Sequence, residues 1–258
     1  MRSSAASDVY KRQPMDQFTS LREKVVIVTG GTRGIGFETV RSFLQNGAKV
    51  AMLGSRQETV DHAMALLMEE DHTYPVKGYH PDLHDVEAVQ AMLKDVTEKF
   101  GSVDILVNNA GVSDATSIYA YDDDHFLDVL KINVDAVFRL SRLVAPVMKE
   151  KGKGVIINVS SMVSLYGQRS GSAYPTSKFA VNGMTKSLAR ELGKDGIRVN
   201  AVAPGITSTD MVKALDQTII QAMAANVPLQ RLGEPQDIAD AILFLASDMA
   251  SYITGAVL

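Results

Sequence analysis

Tyr174 and Lys178 stand four residues apart in the stretch "SAYPTSKFAVNG", with Pro175 between them. Residues at i and i+4 share one face of a helix. A phenol titrates near pH ~10 and alone is a poor acid or base at neutral pH. An ammonium one turn away favours the phenolate form. The pair is therefore a proton donor or acceptor suited to interconverting an alcohol and a carbonyl. An ordinary amphipathic helix can carry the same spacing, so its meaning depends on what surrounds it. Pro175 would break a helix interior but is tolerated in the first turn, where its missing N–H loses no partner. The helix thus begins near Ala173 or Tyr174, with Tyr174 at its mouth.

A second candidate is "TGGTRGIG" (29–36), between a β-branched run and a helical pattern. Gly30 suits a tight turn, Thr32 and Arg33 fill it, and Gly34 lets the backbone approach a pyrophosphate. Ile35 opens the helix, and Gly36 allows close packing of helix on strand. The helix N-terminus then aims its free N–H groups at phosphates. The spacing is G-x-x-x-G-x-G, and a glycine-rich turn that binds nothing would read the same. The next strand ends Gly54, Ser55, Arg56, with no acid before Glu58. A carboxylate near this point would bind a ribose 2′-hydroxyl. A small residue leaves room for a 2′-phosphate, and a guanidinium from Arg56 or Arg33 can pair with it. NADP(H) is expected ahead of NAD(H), although both arginines could be solvated surface residues.

The elements that position these residues alternate along the chain. Strands are expected at 24–29, 48–53, 76–80, 104–110, 154–161, 197–204 and 254–258. Helices are expected at 34–47, 58–70, 85–100, 124–151, 173–193 and 235–247. Such alternation predicts one α/β domain over 21–258, a doubly wound parallel sheet with helices on both faces. Only Gly205 to Gly233 interrupts it, and long excursions at the carboxyl edge of a sheet often form lids.

Of 258 residues, 46% are hydrophobic and 22% charged, which suffices for a full core. A net charge of −4 argues against nucleic acid or anionic lipid as partner. No apolar run is long enough to span a bilayer. The absence of cysteine excludes disulfides and thiolate metal sites and fits a reducing cytoplasm; no metal site is expected. Residues 1–14, polar and without period, are expected to be a disordered, non-native leader, an amphipathic targeting segment being the alternative. The chain stops at Leu258 within an apolar run, which reads as a strand cut short.

"TGGTRGIG", "NNAG" (108–111), "SS" (160–161) and "YPTSK" (174–178) occur in the order and spacing of short-chain dehydrogenases/reductases. The resemblance covers Glu23 to Leu258, and it implies roles by position. Ser161 would hydrogen-bond the substrate oxygen and Tyr174 would transfer its proton. Lys178 would hold the nicotinamide ribose and favour the Tyr174 phenolate. Asn133 would anchor a water that extends the proton path. Asp82, beside Leu83, would receive the adenine amino group. Asn109, Ala110 and Gly111 would line the adenosine side, and Pro204, Gly205, Ile206 and Thr209 would embrace the nicotinamide. The chain resembles both bacterial 3-oxoacyl-carrier-protein reductases and gut-bacterial hydroxysteroid dehydrogenases, with "NGAKVAMLGSRQETVD" and "YHPDL" leaning to the second. The implied partner is a small, apolar ketone or alcohol, and the implied assembly a homo-oligomer, tetramer or dimer. A nucleotide-binding regulator without turnover is the alternative of another class; it would be expected to lack the tyrosine or the lysine.

Overall fold

Runs of valine and isoleucine build the centre of the molecule. The computed structural model describes residues 18–208, 212 and 216–258. Strand β1 (Val25–Thr29) is buried at every position, as are β4 (Ile105–Asn108) and β5 (Gly154–Val159). Strands covered on both faces read as continuous apolar runs rather than as alternating ones. With β2 (Lys49–Leu53), β3 (Val76–Tyr79) and β6 (Ile197–Val202) they form one parallel sheet in the order β3-β2-β1-β4-β5-β6. The reversal of strand order between β1 and β4 opens a crevice at the carboxyl edge, where ligands bind in open α/β sheets.

Each strand feeds two cores. Val26 and Val28 point into one with α1 (Gly34–Gln45), α2 (Gln57–Glu70) and α9 (Pro235–Ala246). Val25 and Ile27 point into the other with α3 (Val86–Phe100), α5 (Ala136–Lys151) and α7 (Ala173–Leu192). Side chains of a strand alternate between faces, so one run serves both layers. Among the described residues, further α-helices are α4 (Asp123–Leu130), the short α6 (Val163–Tyr166) and α8 (Gln217–Ala225).

Two differences from the sequence reading stand out. The helix expected over 124–151 is interrupted by a π-helical turn at Lys131–Asp135. Apolar periodicity runs through that turn, so the pattern could not reveal it. The strand expected at 254–258 is reduced to a single parallel bridge, Ala201 to Val257. It still exchanges backbone bonds with β6: Ala201 N–H donates to Ala256 O at 2.8 Å, and Leu258 N–H to Ala201 O at 2.9 Å. The excursion after β6 is pinched at its base, where Thr207 bridges Gly233. Within it, α8 buries none of its residues despite its apolar sequence. The leader expected at 1–14 lies outside the described residues.

Candidate active site

The glycine turn is shaped by what a side chain would strike. A Cβ on Gly36 would lie 2.1 Å from the Gly30 carbonyl oxygen and 2.5 Å from Asn109 Nδ2. Gly30 adopts φ +62° and Gly34 φ +54°, the left-handed region that glycine alone enters without strain. Gly31 N–H donates to Leu53 O at 2.8 Å and ties the turn to the end of β2. Asn109 Nδ2 donates to Thr29 O and Gly30 O at 3.0 and 3.1 Å. Asn109 therefore braces the turn from beneath as well as facing the crevice.

Above the turn lies a cleft of about 790 Å³. Gly30, Thr32, Arg33, Gly34, Ile35, Ser55, Asp82, Leu83, Asn109, Ala110 and Gly111 all line it. Gly36 supports it from below, as its packing requires. Arg56 is the exposed N-cap residue of α2 and is not part of the wall. Leu53, Gly54, His80, Pro81, His84, Val112, Ile132 and Ala136 complete the lining and were not foreseen. Of these, His80, Pro81 and His84 lie within two residues of Asp82, and that nearness was the only signal available. Asp82 Oδ1 accepts from His84 N at 2.8 Å, which fixes the turn carrying them. Arg139 on α5 holds the same turn through the Leu83 carbonyl at 2.8 Å.

Beside the Gly111–Val112 wall of the cleft, four candidate catalytic residues come from three elements. Ser161 follows β5. Tyr174 and Lys178 lie on the first turns of α7, with Pro175 in the first turn. Asn133 sits in the π-helical turn, a local distortion often found at functional sites. Each is held by bonds to its own surroundings. Lys178 Nζ donates to Val159 O at 2.8 Å and lies 5.7 Å from the centroid of the Tyr174 ring. Asn133 Nδ2 donates to Ser177 Oγ at 3.0 Å and to Val112 O at 2.9 Å. Asn133 Oδ1 accepts from Val112 N at 2.8 Å. A Cβ on Gly111 would stand 3.0 Å from Asn133 Oδ1 and 3.6 Å from Lys178 Nζ, so the cleft wall meets these residues directly. Deeper in, Asn108 donates to Asn158, and Asn158 to Thr185, both at 2.9 Å, pinning α7 to the sheet.

Lys178 is only 5% exposed, and burial pulls its pKa down from 10.5 to about 8. Ser161 Oγ accepts from Val163 N at 3.4 Å, which leaves its own proton free to donate outward. Pro204, Gly205 and Ile206 sit beside this site: Pro204 O accepts from Met162 N at 2.9 Å, joining the loops after β5 and β6. Thr209 lies outside the described residues.

A glycine-shaped phosphate cradle next to a tyrosine–lysine pair defines a dinucleotide-dependent oxidoreductase with a doubly wound sheet. The comparisons with known proteins sharpen that class. A family model described as Enoyl-(Acyl carrier protein) reductase matches residues 30–258. A 3alpha-hydroxysteroid dehydrogenase of Mediterraneibacter gnavus is 60% identical over 241 residues, which is 93% of this chain and 96% of the relative. A 3-oxoacyl-[acyl-carrier-protein] reductase of Vibrio cholerae is 39% identical, over 92% of this chain and 95% of its own. Among solved structures, a 7 alpha-hydroxysteroid dehydrogenase complexed with NADH and 7-oxo glycochenodeoxycholic acid superposes with a TM-score of 0.87. It is 34% identical, covering 93% of this chain and 94% of its own. The chain belongs to the short-chain dehydrogenase/reductase family, and it is an NAD(P)-dependent oxidoreductase acting on CH–OH groups. Among the described residues, no helix is long and apolar enough to cross a membrane.

Proposed function

We propose that this enzyme interconverts a secondary alcohol and a ketone on a hydroxysteroid of the bile-acid type, with Tyr174 as proton donor and acceptor. The observation that carries the catalytic assignment is the buried ammonium of Lys178 beneath the Tyr174 ring, at the end of a glycine-walled cleft. The steroid assignment is supported by the 60% identity to a 3alpha-hydroxysteroid dehydrogenase. Exposed Met162, Leu165 and Tyr166 beside Ser161, and the apolar α8, supply surface for a bulky apolar substrate. Reduction of a 3-oxoacyl thioester is the second reading, favoured by relatives at 39% identity.

The cleft fits a nicotinamide dinucleotide: Gly30 and Gly34 line it without side chains, and the α1 N-terminus opens there. When bound, the cofactor supplies or accepts the hydride. Gly30, Gly34 and the first amides of α1 hold its phosphates. Asp82 and Leu83 receive the adenine, while Asn109, Ala110 and Gly111 shape the wall beside it. Pro204, Gly205 and Ile206 would close over the nicotinamide. Lys178 would grip the nicotinamide ribose, its ammonium 5.7 Å from the centroid of the Tyr174 ring. Ser161 donates to the substrate oxygen and stabilises its developing negative charge. Tyr174 delivers its proton to that oxygen during reduction and removes it during oxidation. Both Nδ2 protons of Asn133 are committed, so a water in the proton path would rest on the second lone pair of Oδ1.

NADP(H) is the preferred cofactor in this reading, because Ser55 replaces an acid and Arg33 lines the cleft. Two observations favour NAD(H) instead: Arg56 stands off the wall, and the structural neighbour carries NADH. A cytoplasmic homo-oligomer, tetramer or dimer, completes the proposal. Its support is the cysteine-free chain and the exposed Leu127, Phe138 and Phe179 on α4, α5 and α7.

A panel of 3α-, 7α- and 12α-hydroxysteroids, their ketones and a 3-oxoacyl thioester, each assayed with both cofactors, tests the reading. A 3α-hydroxysteroid should exceed its positional isomers and the thioester by about tenfold or more in kcat/KM. A thioester turned over faster than every steroid would overturn the substrate assignment.

A further inference from the structure

The loop after β4 carries a buried acid that the reaction above does not use. The Asp114 side chain is 4% exposed and gathers four donors. Its Oδ1 accepts from Thr116 Oγ1 at 2.7 Å, from Thr116 N at 3.3 Å and from His125 Nε2 at 2.8 Å. Its Oδ2 accepts a close hydrogen bond from the Tyr121 hydroxyl. The same hydroxyl accepts from the backbone N–H of Ala173 at 3.1 Å. Ala173 is the first residue of α7, fully buried, and immediately precedes Tyr174. The first N–H groups of a helix have no partner within the helix. A buried one must find an acceptor elsewhere. Here the acceptor is a phenol on another loop, and that phenol is itself oriented by a carboxylate.

The backbone repeats the connection. Gln168 Nε2 donates to Asp114 O at 2.7 Å, and Ser170 Oγ donates to Ala115 O at 2.9 Å. Gly171, at φ +85°, lets the two loops touch: a Cβ there would lie 2.4 Å from Asp114 O. Burial opposes the charge on Asp114, but the bonds from His125, Tyr121 and Thr116 outweigh it and hold the carboxyl well below the usual carboxylate range. The Tyr121 ring is packed 5.6 Å from His125 and 6.2 Å from Phe126.

We propose that Asp114 and Tyr121 are positioning residues for Tyr174. The carboxylate aims the Tyr121 hydroxyl, the hydroxyl holds the Ala173 amide, and the start of α7 is thereby fixed across the mouth of the site. This rests on Tyr174 being the proton-transfer residue. The chain of contacts reaches Tyr174 through the backbone, so its loss acts on the chemical step and leaves the dinucleotide cleft alone.

The test compares Tyr121→Phe, Asp114→Asn and Tyr174→Phe, using whichever alcohol or ketone the wild type turns over fastest. Tyr121→Phe keeps the ring packing and removes only the hydroxyl. It should lower kcat about tenfold to a hundredfold, as misplacement of a reacting group by ~1 Å does. Cofactor Kd, read by fluorescence titration, should stay within about twofold and the KM for that substrate within about threefold, changes small against that loss. Asp114→Asn retains an acceptor for Tyr121 and should fall between Tyr121→Phe and wild type. If Tyr174→Phe is inactive while Tyr121→Phe keeps wild-type kcat, the positioning role is wrong and the catalytic one stands. If Tyr174→Phe keeps its activity, the catalytic assignment fails and the positioning role falls with it. A rise in KM at unchanged kcat, or loss of cofactor binding in Tyr121→Phe, also overturns the proposal.

Discussion

The two ends of the cleft are built by different means. The dinucleotide end is made of backbone: glycines at Gly30, Gly34 and Gly36, amides at the start of α1, and strand ends fixed by the sheet. The proposed substrate end is made of side chains from the loop after β5, the π-helical turn and the start of α7, and its rim is apolar and exposed, with Ile118 67% and Tyr166 81% accessible. A backbone cradle tolerates almost no change, because Gly30 and Gly36 are fixed by what a Cβ would strike and Gly34 by its left-handed φ. A rim of loop side chains can vary without disturbing the sheet, and it is where relatives of one fold can differ in substrate. Between the two ends stands Lys178, the group proposed to serve both.

The harshest way to break the dinucleotide end is Gly36→Ala. Its Cβ would meet the Gly30 carbonyl at 2.1 Å, where only backbone movement can relieve the contact. A stability loss of about 3 kcal/mol is expected. That should lower Tm by about 6–12 °C, with cofactor binding lost as well. An unchanged melt with tight cofactor binding would show that the turn is not the rigid element described.

Lys178→Met sharpens the comparison by separating stability from activity. Burial depresses the Lys178 pKa from 10.5 to about 8. Between those values the unfolded chain binds the proton that the folded one has released, so the destabilisation is full below pH 8 and is relieved as pH rises towards 10.5. Removing the charge should abolish turnover and yet stabilise the unliganded protein at pH 7 by up to about 3 kcal/mol. The stabilisation should shrink by pH 10. A lower melting temperature at pH 7 would mean that the bond to Val159 outweighs the cost of burying the charge.

Arg33→Ala is the mildest probe. A charge-assisted contact to a 2′-phosphate is worth about 1.5–3 kcal/mol, so kcat/KM with NADPH should fall roughly tenfold or more. The value with NADH should change little. An equal fall with both cofactors would place Arg33 on the shared pyrophosphate and remove the support for NADP(H).

What the sequence disclosed follows the same division. The glycine turn was legible because left-handed backbone and close approach each demand one residue type. Tyr174 and Lys178 were legible because Pro175 marks where α7 begins. Val25 to Thr29 and its sister strands were legible because full burial leaves no polar alternation to misread. The π-helical turn at Lys131–Asp135 was hidden, since a one-residue change in bonding leaves the apolar spacing almost intact. The Asp114–Tyr121–Ala173 connection was hidden for another reason. Its members lie on loops without period, and only the tertiary approach of two loops at Gly171 brings them together. Arg56 shows the limit of reading along a strand: its number places it beside the cleft, but its position as N-cap of α2 turns it away.

The central claim is that proton transfer belongs to Tyr174 and cofactor binding to the backbone cradle. One preparation of Tyr174→Phe tests both halves, with turnover and cofactor titration measured on the same sample. The account predicts turnover lower by about a hundredfold or more, with cofactor Kd within about twofold of wild type, a shift under 0.5 kcal/mol. Turnover near the wild-type rate, or loss of cofactor binding together with activity, would contradict it.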